Sequence, residues 1–97
     1  MLNITKKTEN GELTLSLCGR LDTITAPEFE TVLKSTAEGV SGLTLDFGEL
    51  EYISSAGLRV LLSAHKQTGG NMKVTHVNET VSEILEITGF ADILTVE

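Results

Sequence analysis

The sequence is poor in several of the residues that define particular protein classes. Its 97 residues include one cysteine, one proline, three phenylalanines, one tyrosine and no tryptophan. A single Cys18 cannot form a disulfide within the chain, and with two histidines it offers no metal-ligand spacing. Apolar runs such as Val60-Leu61-Leu62 are far shorter than the roughly 20 residues that span a bilayer. These shortages argue against disulfide-rich, metal-centred and membrane-spanning proteins.

Positive charge is also scarce. The chain has seven Lys and Arg residues and 14 Asp and Glu residues, which gives a formal net charge of −7. Proteins that bind duplex nucleic acid owe much of their affinity to clustered basic residues, so we expect no direct nucleic acid partner. The N-terminus lacks a basic segment followed by an apolar stretch, so we expect a cytoplasmic protein without membrane attachment. Residues 1–97 are predicted to form one domain, with Cys18 buried as a small hydrophobe.

The first 20 residues predict a β-hairpin. Asn10-Gly11 accepts the positive φ angles of a two-residue turn, and it separates a strand over Leu2–Glu9 from one over Glu12–Gly19. In the second strand leucines alternate with small or mildly polar residues, so the leucine face is predicted to meet the core. The leucines are Leu13, Leu15 and Leu17.

From Thr25 onward the apolar residues recur every three or four positions instead of every second position. Thr25 and Glu28 match a capping box at the start of a helix that is predicted to end near Gly39. The alternation over Leu43–Phe47 predicts a short strand, followed by a connecting segment over Gly48–Ile53.

The second half continues this alternation of helices and strands. A second helix is predicted from Ser54 or Ser55, with Gly69-Gly70 ending it. Asn78 is a plausible cap for a third helix, and Ile93–Val96 could add a last strand. Met72, Val74 and Val77 suggest the strand between these helices. The expected fold is therefore α/β, a mixed sheet opened by a hairpin and packed with three to four helices.

Serines between a strand and a helix admit an enzymatic interpretation. Ser54 or Ser55 would act as the nucleophile, with His65 or His76 as the base. The segment lacks the glycines two residues before and after a serine that a nucleophile elbow requires. The glycines also form no phosphate-binding loop. We therefore predict no catalytic residue, no metal site and no cofactor.

Two other interpretations of the serine pair stay open on the residues alone. A serine at a helix start is a preferred cap, because its oxygen accepts a bond from an unpaired first-turn N–H. A serine there can also accept a phosphoryl group, because the positive end of the helix dipole stabilises the added negative charge. Phosphorylation would make a neutral contact surface anionic and would switch binding off.

A set of motifs in a fixed order resembles the STAS family of anti-sigma factor antagonists. The resemblance covers almost the whole chain, and the start of the second helix is its most specific part. The matching segments are Gly19-Arg20-Leu21-Asp22, Leu43-Thr44-Leu45-Asp46-Phe47, Tyr52-Ile53-Ser54-Ser55-Ala56-Gly57-Leu58-Arg59, Gly69-Gly70 and Thr88-Gly89-Phe90. The resemblance implies a STAS-type single domain and a cytoplasmic bacterial protein.

The resemblance also implies a function. An unphosphorylated member binds an anti-sigma factor that is also a serine protein kinase, which frees a sigma factor; phosphorylation reverses this, and a serine phosphatase restores binding. The acceptor serine corresponds to Ser55, with Ser54 as a second candidate. Family members carry Asp where this chain has Ser54, and commonly Ser or Thr where it has Ala56.

The resemblance places further residues at the partner surface. These are Asp22 and Thr23 in the loop before the first helix, with Ser54, Ala56, Gly57 and Arg59 around Ser55. Asp22 could instead simply bond loop amides, as Asp often does in turns. The alternative function is a constitutive STAS scaffold, or a regulatory interaction module in a larger signalling assembly.

Overall fold

The computed structural model of the protein describes residues 2–36 and 41–97. Its elements alternate between strands and helices after an initial pair of strands, as the sequence predicts. In chain order they are β1 (Leu2–Glu9), β2 (Glu12–Leu21), α1 (Ala26–Thr36), β3 (Gly42–Ile53), α2 (Ser55–Gln67), β4 (Met72–Thr75), α3 (Glu79–Ile87), a 3-10 turn (Phe90–Asp92) and β5 (Thr95–Val96). The predicted end of the first helix near Gly39 lies outside the described residues.

The five strands form one mixed sheet in the order β1-β2-β3-β4-β5. The β1–β2 pair is antiparallel and the other three pairs are parallel. Asn10 and Gly11 have φ angles of 53° and 80°, which a two-residue hairpin turn requires. The predicted hairpin and mixed sheet are confirmed.

The core lies on one face of this sheet. The leucine face of β2 is buried as predicted, and each described helix contributes apolar side chains to the same core cluster. The helical contributions include Phe29 and Leu33 from α1, Leu58 and Leu61 from α2, and Val81 and Leu85 from α3. Within the two described ranges, the opposite face of the sheet carries mainly polar side chains, half-buried or exposed.

The prediction of a connecting segment over Gly48–Ile53 is wrong, because β3 continues through it to Ile53. The pairing of β2 with β3 has two register shifts, between Ser16 and Cys18 and between Gly19 and Arg20. In each shift β3 has one residue more than β2, as in a β-bulge. The extra residues break the alternation by which a strand is recognised, so Leu50 and Ile53 are both buried although three positions apart.

The prediction that Cys18 is buried is also wrong, because its side chain is exposed. Cys18 follows the buried Leu17, so its side chain points to the polar face of the sheet. Its Sγ lies 3.6 Å from Oε2 of Glu49 on the neighbouring strand. This hydrogen bond, with partial desolvation and the nearby charges of Glu49 and Glu51, raises the pKa of the thiol.

The predicted caps of the last two helices are found at their starts. Ser54 caps α2, and Asn78 caps α3 by accepting a 2.8 Å bond from Val81 N. The Asn78 amide also donates to Leu50 O at 2.6 Å, which ties α3 to β3. Among the residues the structure describes, no helix has the length and apolar character of a membrane span.

Candidate functional site

The site is built where two parallel strands end side by side. The last residues of β2 and β3, Leu21 and Ile53, are paired in register. Ser54 N then donates a 2.8 Å hydrogen bond to Leu21 O. The loop after β2 and the start of α2 consequently share one edge of the sheet, which is where sites of α/β proteins tend to lie.

The two serines have different roles at the start of α2. Ser54 is half-buried and its side chain accepts a bond from Gly57 N at 3.4 Å, so it is the cap of the helix. Ser55 is the first residue of α2 and is exposed. The capping interpretation therefore applies to Ser54, and the Ser55 hydroxyl is left at the surface.

The loop between β2 and α1 is fixed by the Asp22 carboxylate. Its Oδ1 accepts hydrogen bonds from Ile24 N and Thr25 N, each at 3.0 Å. Asp22 N donates to the Thr25 hydroxyl, which lies within hydrogen-bond distance of Asp22 Oδ1 and of Arg20 O. The Thr25 hydroxyl therefore forms hydrogen bonds within the loop. The sequence predicts instead that it caps α1 together with Glu28.

These bonds affect the titration of Asp22. The bond from Thr25 N lowers the pKa of the carboxyl below its ordinary 3.8, with help from the Thr25 hydroxyl and Ile24 N, while partial desolvation opposes the change. A carboxyl with a lowered folded-state pKa stabilises the fold above its unfolded pKa, and this stabilisation is lost as the pH falls through the folded value.

We therefore expect Asp22→Asn to lower the free energy of unfolding at neutral pH, and the difference from wild type to shrink as the pH falls below 3.8. Urea unfolding of both proteins from pH 7 to pH 3 measures this difference in the free energy of unfolding. Asp92→Asn is the control, because no described residue donates a hydrogen bond to the Asp92 carboxylate. A wild-type advantage that stays constant with pH would contradict this role of the charge.

The same loop presents a residue that the sequence analysis missed. Ile24 is 86% exposed, although the Asp22 bonds hold the backbone around it in one conformation. The available signal was an isoleucine in a polar loop, ahead of the helical apolar stripe that starts at Phe29. Ile24 is next to Thr23 in the same loop, so its exposed side chain is available to a partner that contacts this loop.

Gly57 is buried, and it allows α2 to pack closely on the strand ends. A Cβ added there would lie 2.7 Å from Leu21 Cγ and 3.0 Å from Ile53 Cγ1. Leu21 and Ile53 are themselves 0% and 1% exposed. Gly57 therefore sets the distance between the start of α2 and the β2–α1 loop without presenting a side chain to a partner.

A surface groove of about 390 Å³ runs between α1 and α2. It brings together Thr23, Ala56 and Arg59, three of the residues that the resemblance places at the partner surface. Its other lining residues are Ala26, Pro27, Glu30, Val60 and Ser63. Arg59 is exposed, and within residues 2–36 and 41–97 it forms no ion pair or hydrogen bond.

The histidines considered as bases are placed away from the serine pair. His65 lies ten positions after Ser55 on α2, which corresponds to about 15 Å along the helix axis. His76 follows β4, and its Nδ1 lies 3.1 Å from Asp46 Oδ1. In the described part of the chain no group of three His, Cys, Asp or Glu side chains is placed to hold a metal ion. The geometry provides an exposed hydroxyl beside an ordered loop, without a nucleophile–base pair.

Comparison of the chain with known proteins identifies its family. Residues 3–97 match the family model described as the STAS domain. The chain belongs to the STAS domain family. The sheet with three helices agrees with the STAS fold that the resemblance predicts, so that prediction is confirmed.

Relatives of this STAS domain cover nearly all of it. BtrV of Bordetella bronchiseptica is 34% identical over 99 residues, which span 98% of this chain and 85% of the relative. The anti-sigma-B factor antagonist of Bacillus subtilis is 26% identical, over 96% of this chain and 88% of its own.

The structure of the anti-sigma factor antagonist SpoIIAA has the same fold. Its unphosphorylated form superposes with a TM-score of 0.82 at 14% identity, covering 98% of this chain and 88% of that one. The phosphorylated form of the Bacillus protein gives 0.74 at 13% identity, covering 98% and 91%. The fold of this STAS domain therefore resembles a protein whose structure is known in both states.

Proposed function

We propose that this STAS domain is an anti-sigma factor antagonist. In its unphosphorylated form it binds an anti-sigma factor, and a sigma factor is released. The observation that carries the proposal is the exposed Ser55 hydroxyl at the start of α2, on the same sheet edge as the ordered β2–α1 loop. The name of the Bacillus subtilis relative supports it. The output is protein binding in the cytoplasm, and the chain itself performs no catalysis.

The proposed binding surface combines residues that touch the partner with residues that shape the site. Thr23, Ala56 and Arg59 line one groove and are available for contact. Asp22 orders the loop, and Gly57 sets the packing of α2 against it. The whole surface consists of Asp22, Thr23, Ser54, Ser55, Ala56, Gly57 and Arg59, with Ile24 added on the evidence of its exposure.

The same surface would be switched by phosphorylation of Ser55. The anti-sigma factor is proposed to be also an ATP-dependent serine kinase, and a serine phosphatase reverses the modification. A phosphoserine adds about −1.5 to −2 charges, and the chain already carries −7. A partner that buries the neutral hydroxyl would lose complementarity and would have to desolvate the phosphate, so binding is lost.

The test is incubation with ATP and the kinase domain encoded nearest to this gene, followed by intact mass and peptide mapping. We expect one added phosphate on the wild type and on Ser54→Ala, and none on Ser55→Ala. The Ser54→Ala variant is the matched control, because it removes the neighbouring hydroxyl and leaves the exposed one.

Two outcomes would contradict the proposed switch. A phosphate mapped to Ser54 would reassign the acceptor to the capping serine. A wild type left unmodified by a kinase that is active on another antagonist would remove the switch altogether. If the unmodified protein still binds its partner, the function is that of a constitutive STAS scaffold, consistent with Ser54 standing where family members carry Asp.

A further inference from the structure

The charges at the start of α2 favour a phosphoserine there. Its first turn contains no acidic residue, and Ser54 ahead of it is neutral. The first charged residue of the helix is Arg59, four positions after Ser55. Side chains four apart lie on the same helix face, and an anion placed N-terminal to a cation is the favourable order.

Arg59 is free to take up such a partner. Both Ser55 and Arg59 are exposed, whereas Gly57, Leu58, Val60 and Leu61 between and beside them are buried. Arg59 forms no hydrogen bond or ion pair with the described residues, and the other arginine, Arg20, stacks over the Tyr52 ring at 4.6 Å. A guanidinium can bind phosphate oxygens through two N–H groups at once.

We propose that Arg59 binds the phosphoryl group of phosphorylated Ser55. This inference rests on the proposed function, because it requires Ser55 to be the modified residue. Helix α2 then supplies its own counter-ion for the switch, in addition to the positive end of its dipole. The phosphorylated state is stabilised within the domain, and the Arg59 guanidinium is withdrawn from the groove that a partner would occupy.

Two carboxylates compete for this cation or repel the phosphate. Glu30 lines the same groove from α1, yet it forms no ion pair with Arg59. Asp22 follows Leu21, whose carbonyl is bonded to Ser54 N, and its lowered pKa keeps it ionised when the phosphate titrates near pH 6. Both are present in all the variants compared below, so their direct repulsion of the phosphate is common to them, and competition for the guanidinium can only make the effect of Arg59 smaller.

The test uses the 97-residue chain with phosphoserine incorporated at position 55 during translation, so no kinase is needed. Phosphorus NMR then follows the second ionisation of the phosphate in the wild type, Arg59→Gln and Arg59→Lys. We expect Arg59→Gln to raise the midpoint by roughly 0.15 to 0.4 pH units, because the dianion loses its partner. Arg59→Lys should recover part of this shift, since it keeps the charge without the two-pronged geometry.

Lys66→Gln is the matched control for net charge. Lys66 is an exposed cation on the same helix, 11 positions after Ser55, and its removal should leave the midpoint where it is in the wild type. A midpoint that is the same with and without Arg59 overturns the proposal, and so does an equal shift in Lys66→Gln. If kinase treatment fails to modify Ser55 while this shift is observed, the proposed function fails and the pairing of Arg59 with phosphate stands.

Discussion

Replacing Ile24 by aspartate is expected to weaken binding of the anti-sigma factor by at least about 30-fold, which corresponds to roughly 2 kcal/mol. Ile24 is 86% exposed in a loop that the Asp22 carboxylate holds in place. Burying an isoleucine side chain stabilises a complex by about 1.5 to 3 kcal/mol. A carboxylate in its place would also have to be desolvated without a partner.

Calorimetric titration of the anti-sigma factor measures this effect, and Ile87→Asp is its matched control. Ile87 is 84% exposed, but it lies at the end of α3, outside the proposed surface. Both substitutions replace an exposed isoleucine by the same charge, so they change net charge and solubility alike. Equal affinities for Ile24→Asp and wild type would remove the β2–α1 loop from the interface.

Gly57→Ala is expected to destabilise the fold by about 1 to 2 kcal/mol, although alanine is the better helix former. The new methyl would lie 2.7 Å from Leu21 Cγ, where a Cβ contact is not tolerated. Leu21 and Ile53 are fully buried and cannot move aside without displacing the core. The strain exceeds the gain of roughly 1 kcal/mol in helix propensity.

Urea unfolding compares Gly57→Ala with Ser63→Ala, which also places alanine in α2 but on its exposed side. Ser63→Ala should leave the free energy of unfolding unchanged or slightly raised. If Gly57→Ala is as stable as the wild type, α2 can move away from the strand ends. Close packing at Gly57 would then not fix the geometry of the site.

The sequence was informative wherever a local interaction determines the structure. The Asn10-Gly11 turn and the caps Ser54 and Asn78 each depend on residues a few positions apart, so their patterns could be recognised. The leucines of β2 alternate regularly because the extra residues of the two register shifts lie in β3 and not in β2. These features were sufficient to predict the mixed sheet and the position of the serine pair.

The sequence predicts incorrectly where residues distant in the chain determine the extent of a strand or the exposure of a side chain. No local pattern indicates the second half of β3, because its extra residues are accommodated by pairing with β2. The residue type predicts a buried Cys18, but no element covers the face of the sheet on which its side chain lies, among the residues that the structure describes. The bonds of Asp22 to Ile24 N and Thr25 N are local and typical of Asp in turns, whereas the exposure of the Ile24 side chain depends on which parts of the chain pack around the loop.

The two bulges of β3 also constrain how this family member can evolve. Each extra residue changes which side of the sheet the following side chains face. Ile53 reaches the core, and α2 begins on the correct side, only because the number of residues between Phe47 and Ser54 matches both bulges. A single-residue insertion or deletion there would turn Ser55 away from the β2–α1 loop. The exposed positions of the segment can therefore be substituted, whereas a change in its length would alter the position of Ser55.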